Sequence, residues 1–141
     1  MADDASDFAR SMSIATSGLR AQAGRMRVIS ENIANADSTS ATSGGDPYRR
    51  KVPTFSSALD RTLDARVVTL GKVRTDQSAF RVKHEPSNPA ADAAGNVKYP
   101  NVNPLVEMTD MREAQRSYEA NLNIISATRR MIQRTLDILK A

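Results

Sequence analysis

The chain has 141 residues, enough for one domain, but three Phe, three Tyr and no Trp leave any core short of large side chains. Its net charge of +4 is concentrated: residues 48–85 hold nine Arg or Lys against four Asp or Glu, and the remainder is slightly acidic. The absence of cysteine excludes disulfides, thiolate catalysis and cysteine-based zinc sites, and no run approaches the ~20 apolar residues that span a bilayer.

The opening stretch, MADDASDFARSMS, is acidic where a secretory signal is basic, and it lacks an uninterrupted apolar block. The expectation is a chain that is either cytosolic or exported without a cleaved signal peptide, with no direct membrane insertion. From there Phe8, Met12, Ala15, Leu19, Gln22, Met26, Ile29 and Ile33 alternate steps of four and three. Only Gln22 breaks the apolar rule, so residues 4–35 read as one helix with a coiled-coil-like stripe. Asp3, Asp4 and Asp7 at its start, and Arg20, Arg25 and Arg27 in its second half, agree with the helix dipole. Gly18 and Gly24 cost about 1 kcal/mol each relative to Ala. They mark either close approach to a neighbour or tolerated surface positions.

Residues 36–47 are almost all small or polar and read as a flexible loop. The only basic cluster follows it: Arg49, Arg50 and Lys51, beside Tyr48, read as a basic loop free to contact neighbours. Residues 54–64 suggest a short helix capped by Thr54. Residues 66–74 and 79–84 alternate partially and carry β-branched side chains, which predicts a small hairpin between them. Residues 85–104, rich in Pro and Asn, predict an extended, turn-filled crossing.

Asn103-Pro104 is a helix start, with Asn as N-cap and Pro at the first helical position. Met108, Met111, Gln115, Tyr118, Leu122, Ile125, Arg129, Ile132, Leu136 and Leu139 then repeat the three–four rhythm, with no internal Gly or Pro. A second stripe, Ile124, Met131 and Ile138, runs seven apart beside it and widens the apolar face. That stripe reads equally as part of one broad core face or as surface reserved for neighbouring subunits. The fold class expected is mainly α. Residues 1–36 and 104–141 form one discontinuous helical domain, its long terminal helices paired as a coiled-coil-like hairpin. Residues 37–103 form a loop-rich, partly β middle segment.

Catalytic chemistry has no residue set to rest on. His84 is the only histidine, Gly44-Gly45 and Gly71-Lys72 lack the flanking residues of a phosphate loop, and Asp60 and Asp64 read as solvated carboxylates. No catalytic, cofactor-binding or metal site is expected. With the regular apolar spacing at the termini, the pattern points to an assembly component rather than an enzyme. A basic helical-hairpin protein that binds nucleic acid, or a cytosolic coiled-coil adaptor, stays open as the alternative. Against the former, the helical segments nearly balance in charge.

Several strings point further. Asn32-Ile33-Ala34-Asn35, with Ala36-Asp37-Ser38 after it, resembles the N-I-A-N segment that ends the first helix of bacterial flagellar rod and hook proteins. Pro47 to Lys51 resembles a P-Y-R stretch of a rod protein in that family, and Pro86 to Val102 resembles its P-x-x-P-x-A-D-x-x-G-Y-V-x-x-P-N-V segment. Glu107-Met108 and Arg116-Ser117-Tyr118-Glu119-Ala120-Asn121 resemble the E-M and R-S-Y-x-A-N pattern of its C-terminal helix. Asn96 departs from the pattern, standing where the family usually has an aromatic residue.

The resemblance implies a structural subunit of the proximal rod of the flagellar basal body, which stacks helically into a periplasm-crossing shaft that transmits motor torque. It implies export through the flagellar type III apparatus without cleavage. The partners implied are copies of the chain, other rod proteins, the export apparatus and membrane-ring components, with no nucleic acid and no cofactor. On this reading Met12, Leu19, Met26, Ile29, Asn32, Ile33 and Asn35 pack from the first helix. Met108, Met111, Tyr118, Asn121, Leu122, Ile124, Ile125, Met131, Ile132, Leu136 and Leu139 pack from the second.

Overall fold

A computed structural model describes the backbone of residues 2–140, with side chains from Asp7 onward. Two helices bracket six short strands: α1 (Ala2–Ala34), β1 (Lys51–Val52), β2 (Phe55–Asp60), β3 (Ala65–Leu70), β4 (Arg74–Thr75), β5 (Arg81–His84), β6 (Asn96–Tyr99) and α2 (Pro104–Lys140). The strands pair only in twos, all antiparallel: β1 with β4, β2 with β3, and β5 with β6.

The helix ends follow from their side chains. Asn103 Oδ1 accepts the Leu105 N–H at 3.1 Å and Pro104 stands at the first helical position, the start that Asn-Pro predicts. At the other boundary the Glu31 carbonyl accepts both the Asn35 N–H at 3.1 Å and the Asn35 side-chain amide at 2.8 Å, closing the last turn. The side chains of Asp3 and Asp4, expected to complement the dipole of α1, lie outside the described residues.

The chain forms two compact units, each drawing on both helices. The first comprises Met1–Met26, Thr54–Lys72 and Glu113–Ala141. Among its described residues the buried ones are Ala15, Ala21, Ala65, Ala114 and Thr128, none larger than Thr. The sequence reads 54–64 as a helix, but it forms β2 and the turn after it. Phe55, Ser57 and Leu59 pair with Leu70, Val68 and Arg66, and Ser56 Oγ meets Thr69 Oγ1 at 2.9 Å. Cross-strand partners of this kind outweigh local helical preference. Thr54, expected to cap that helix, donates its hydroxyl to the Lys72 carbonyl at 2.7 Å instead. The turn is set by Asp60, whose carboxylate accepts the Thr62 N–H at 2.9 Å, and by Asp64 in the left-handed region (φ 45°). Arg10 of α1 donates to the Leu63 carbonyl at 2.7 Å and holds that turn.

The second unit comprises Arg27–Pro53 and Val73–Arg112, with Val28, Ile29, Ala36, Ala90, Val97 and Val102 buried. The expected hairpin between 66–74 and 79–84 does not form. β3 pairs backward with β2, β4 pairs with β1, and β5 pairs forward with β6. The cause is a strand inside the Pro-rich crossing. Asp92 accepts the N–H groups of Ala94 and Asn96 and, through its carbonyl, that of Gly95, whose φ of 79° closes the turn. The chain is thereby turned so that Val97 is fully buried beside β5.

Candidate subunit-assembly surfaces

In the second unit, three separate strings of the sequence converge on Asn32. Its amide makes four hydrogen bonds: it donates to the Lys51 carbonyl at 2.8 Å and to Glu107 Oε2 at 3.0 Å. It accepts the Lys51 N–H at 2.9 Å and the Tyr48 hydroxyl at 2.8 Å. Every donor and acceptor of a side chain 1 % exposed is thus used, which is the condition for burying it without loss. Glu107, equally buried, takes the Arg50 Nε at 2.6 Å on its other oxygen. Arg50 also lies 3.8 Å from both Asp76 and Asp110, and its backbone N–H donates to Asn101 Oδ1 at 2.8 Å. Lys51 pairs with Glu31, and Arg49 stacks over the Phe80 ring at 4.1 Å from its centroid.

The residues read as a basic loop are therefore half-buried and engaged within their own unit. Burial, with the negative charges of Glu31 and Glu107 adding to it, pushes the Tyr48 hydroxyl up to about 12. The Ser78 backbone N–H and hydroxyl, then the charges of Arg50 and Arg49, hold the Asp76 carboxyl below its usual range. The sequence reading missed Glu107 as a buried charge, and it missed Asn101, whose amide donates to the Asp76 carbonyl and to Ser78. The only signal for Glu107 was its place in the E-M string.

The first unit offers a different surface. Gly18 and Gly24 of α1 mark close approaches. A Cβ at Gly18 would lie 2.8–3.1 Å from the Asn121 side chain, and one at Gly24 would lie 2.7 Å from Leu70 Cδ2. Arg25 reaches Glu113 at 3.6 Å.

On α2 the inward positions are Glu107, Met111, Ala114, Tyr118, Asn121, Ile125, Thr128 and Ile132, each in its own unit. Met111, Tyr118, Ile125 and Ile132 belong to the periodic stripe. At the alternate steps the residue one place earlier faces inward, and Met108, Gln115, Leu122 and Arg129 are exposed. The inward choices are smaller or more polar, as at Asn121, whose side chain lies against Gly18 of α1. On α1 the stripe residues Met12, Leu19, Met26 and Ile33 are half-buried and Ile29 is buried.

Large apolar side chains consequently face outward along the second half of α2. Ile124 is 46 % exposed, Met131 50 % and Ile138 76 %, with Leu122, Leu136 and Leu139 also exposed. A run of this kind exceeds the singly scattered apolar residues that are normal on a protein surface. No helix among the described residues is long and apolar enough to cross a membrane. Nor do those residues gather three or more His, Cys, Asp or Glu side chains to hold a metal ion. His84 is exposed and meets Asn96 Oδ1 at 3.3 Å.

Two family models match the chain at its ends: the flagella basal body rod protein over residues 12–41, and the C-terminal region of flagellar basal body rod FlgEFG proteins over residues 93–138. Both ends are thus similar to flagellar rod proteins. A flagellar basal-body rod protein FlgC of Agrobacterium fabrum is 54% identical, covering 91% of this chain and 92% of its own length. Those of Bacillus subtilis and Salmonella typhimurium are 39% and 38% identical, covering 92% and 89% of this chain and 97% and 92% of their own. The chain belongs to the flagellar basal-body rod protein FlgC family. These relatives bear the name of rod proteins and lend no support to a nucleic-acid-binding or adaptor reading.

Proposed function

We infer that the chain is a structural subunit of the flagellar basal-body rod and not an enzyme. The observation that carries this reading is the outward apolar run Ile124, Met131 and Ile138 on α2 of a protein whose relatives are rod proteins. Apolar side chains left at the surface of one copy are covered when copies pack. A contact between different patches that does not close on itself generates a helical filament, which is the geometry of a rod.

On this reading residues 1–36 and 104–141 pair lengthwise as a coiled-coil-like domain, and 37–103 is displayed around it. Met12, Leu19, Met26, Ile29 and Ile33 pack from α1 with Met111, Tyr118, Ile125 and Ile132. Ile124, Met131, Leu136, Ile138 and Leu139 meet neighbouring subunits. The stacked subunits form the proximal part of a shaft that crosses the periplasm and transmits torque. The chain reaches it through the flagellar type III export apparatus without cleavage, and the remaining partners are other rod proteins and membrane-ring components. The polar cluster around Asn32 holds α2 in register while load passes along it.

The test is cell fractionation. The protein is expected in purified basal bodies with its N-terminal sequence intact. Recovery only from the cytosol overturns the reading.

A further inference from the structure

We propose that the outer edge of β2 pairs with the same edge of a second copy of this chain. The argument begins with which backbone groups face outward. Gly71 donates its N–H to the Thr54 carbonyl at 2.7 Å, continuing the ladder in which even-numbered residues of β2 exchange hydrogen bonds with β3. Phe55, Ser57 and Leu59 therefore turn their N–H and C=O groups to the opposite side. The same parity holds on β3, where the Val68 N–H points away from β2 and donates to Ser17 Oγ of α1 at 3.1 Å. Leu70 lies against Gly24 of the same helix. One edge of the hairpin is thus covered by α1. The other is open: Phe55, Ser57 and Leu59 are exposed, and none of the described residues bonds their outward backbone groups.

Proteins blunt an open edge with charges, proline, bulges or very short strands. Here β5 carries Arg81 and Lys83, and β1 and β4 are two residues each. β2 reads Phe-Ser-Ser-Ala-Leu before its first charge, Asp60.

That strand is complementary to itself. An antiparallel pairing about Ser57 sets Phe55 opposite Leu59 of the second copy, and Ser57 opposite its counterpart. Each of these is an outward-facing position on both strands, so one register satisfies the hydrogen-bond parity and the apolar pairing together. At the ends Asp60 meets Thr54 and Arg61 meets Pro53, so no like charges oppose. Leu59, 57 % exposed, would be covered by the Phe55 ring of its mate.

A two-fold contact closes on itself and does not propagate, so this pair is a state of the free subunit and separates before packing into a filament. Two five-residue strands bury well under the ~1,200 Å² of a stable interface, so the association is weak and concentration-dependent.

Because the chain has no cysteine, Ser57→Cys places a single thiol on the symmetry axis. Two such residues in a hydrogen-bonded antiparallel pair sit about 5.5 Å apart at Cα, within disulfide range. With oxidised glutathione accepting the two electrons, Ser57→Cys is expected to give a covalent dimer on a non-reducing gel. Arg61→Cys in the adjacent turn should stay largely monomeric. Adding Leu59→Lys to Ser57→Cys should suppress the dimer several-fold, circular dichroism showing the fold retained. The proposal is overturned if Ser57→Cys cross-links no more than Arg61→Cys, or if Leu59→Lys leaves its cross-linking unchanged.

Discussion

Asn32 and Glu107 lie 75 positions apart in the sequence and meet through a 3.0 Å hydrogen bond, each only 1 % exposed. One comes from the last turns of α1 and the other from the first turn of α2. Beside its buried Val28, Ile29, Val97 and Val102 the second unit thus holds a buried polar cluster, which makes it sensitive to small chemical changes. Asn32→Asp keeps the shape, removes both donors and sets a carboxylate beside Glu107. It is expected to destabilise the protein by about 3–5 kcal/mol, as breaking a buried charged network does. Urea unfolding measures this, and a wild-type midpoint for Asn32→Asp would contradict the role given to the amide.

Glu107→Gln separates charge from geometry. Hydrogen bonds to charged groups contribute about 1.5–3 kcal/mol, so Glu107→Gln is expected to cost that much. Its effect should shrink in an Arg50→Met background, where the guanidinium 2.6 Å away is already gone. Additive losses in the double-mutant cycle would show that the pair is not coupled.

Gly18 poses two opposing effects. Replacing a helical Gly by Ala gains about 1 kcal/mol in propensity, but the new Cβ would press on the Asn121 amide at 2.8–3.1 Å. Gly18→Ala alone should therefore leave stability nearly unchanged. In an Asn121→Ala background it should stabilise by about 1 kcal/mol, because the amide it would press on is gone. Thermal unfolding of the two single variants and the double decides whether the contact is as close as described.

Tyr48 provides a pH test. Its hydroxyl is raised from 10.0 to about 12, so the folded state holds that proton more tightly than the unfolded chain does. The stabilisation is fully present below pH 10.0 and is lost as pH rises from there to about 12. Spectroscopic titration of phenolate should show a late-ionising component near pH 12, and Tyr48→Phe should remove it. Tyr48→Phe should also lose the bond to Asn32, at about 0.5–1.5 kcal/mol.

The two apolar stripes of α2 should separate folding from assembly. Ile138, 76 % exposed, tolerates Asp in the free subunit, with stability expected to change by no more than about 0.5 kcal/mol. Ile125, half-buried, does not, and Asp there should unfold the first unit locally. Both substitutions should abolish motility, for different reasons. Normal swimming by the Ile138→Asp strain would remove the exposed stripe from the assembly.

Both long helices were legible because α1 and α2 carry repeated apolar spacing, and Asn103-Pro104 announces a start that side-chain geometry enforces. Strand character at 66–74 and 79–84 was legible in part, but the pairing was not, because each strand depends on a partner that local sequence does not name. Residues 55–60 have helix-compatible letters and become a strand only because Val67, Val68 and Thr69 lie opposite. Residues 96–99 looked like part of a Pro-rich crossing until Asp92 and Gly95 closed a turn before them. The cluster at Asn32 was visible only as strings of letters, since nothing in the spacing of Asn32, Tyr48, Arg50 and Glu107 states that four distant residues share one hydrogen-bond network. On α2 the rhythm was right, but at every other step the smaller of two neighbouring side chains is the one turned inward.

That small-residue packing has a consequence for how the first unit tolerates change. With Ala15, Ala21, Ala65 and Ala114 as its hidden apolar positions, there is almost nothing to carve away: each truncation forfeits a single carbon. Enlargement has no room to go into, since close-packed interiors resist extra methylenes by about 1–3 kcal/mol each. Ordinary intuition, in which shrinking a core residue is the dangerous move, is inverted here. Ala→Val is the damaging substitution, so sequence drift at these four positions is confined from above rather than from below.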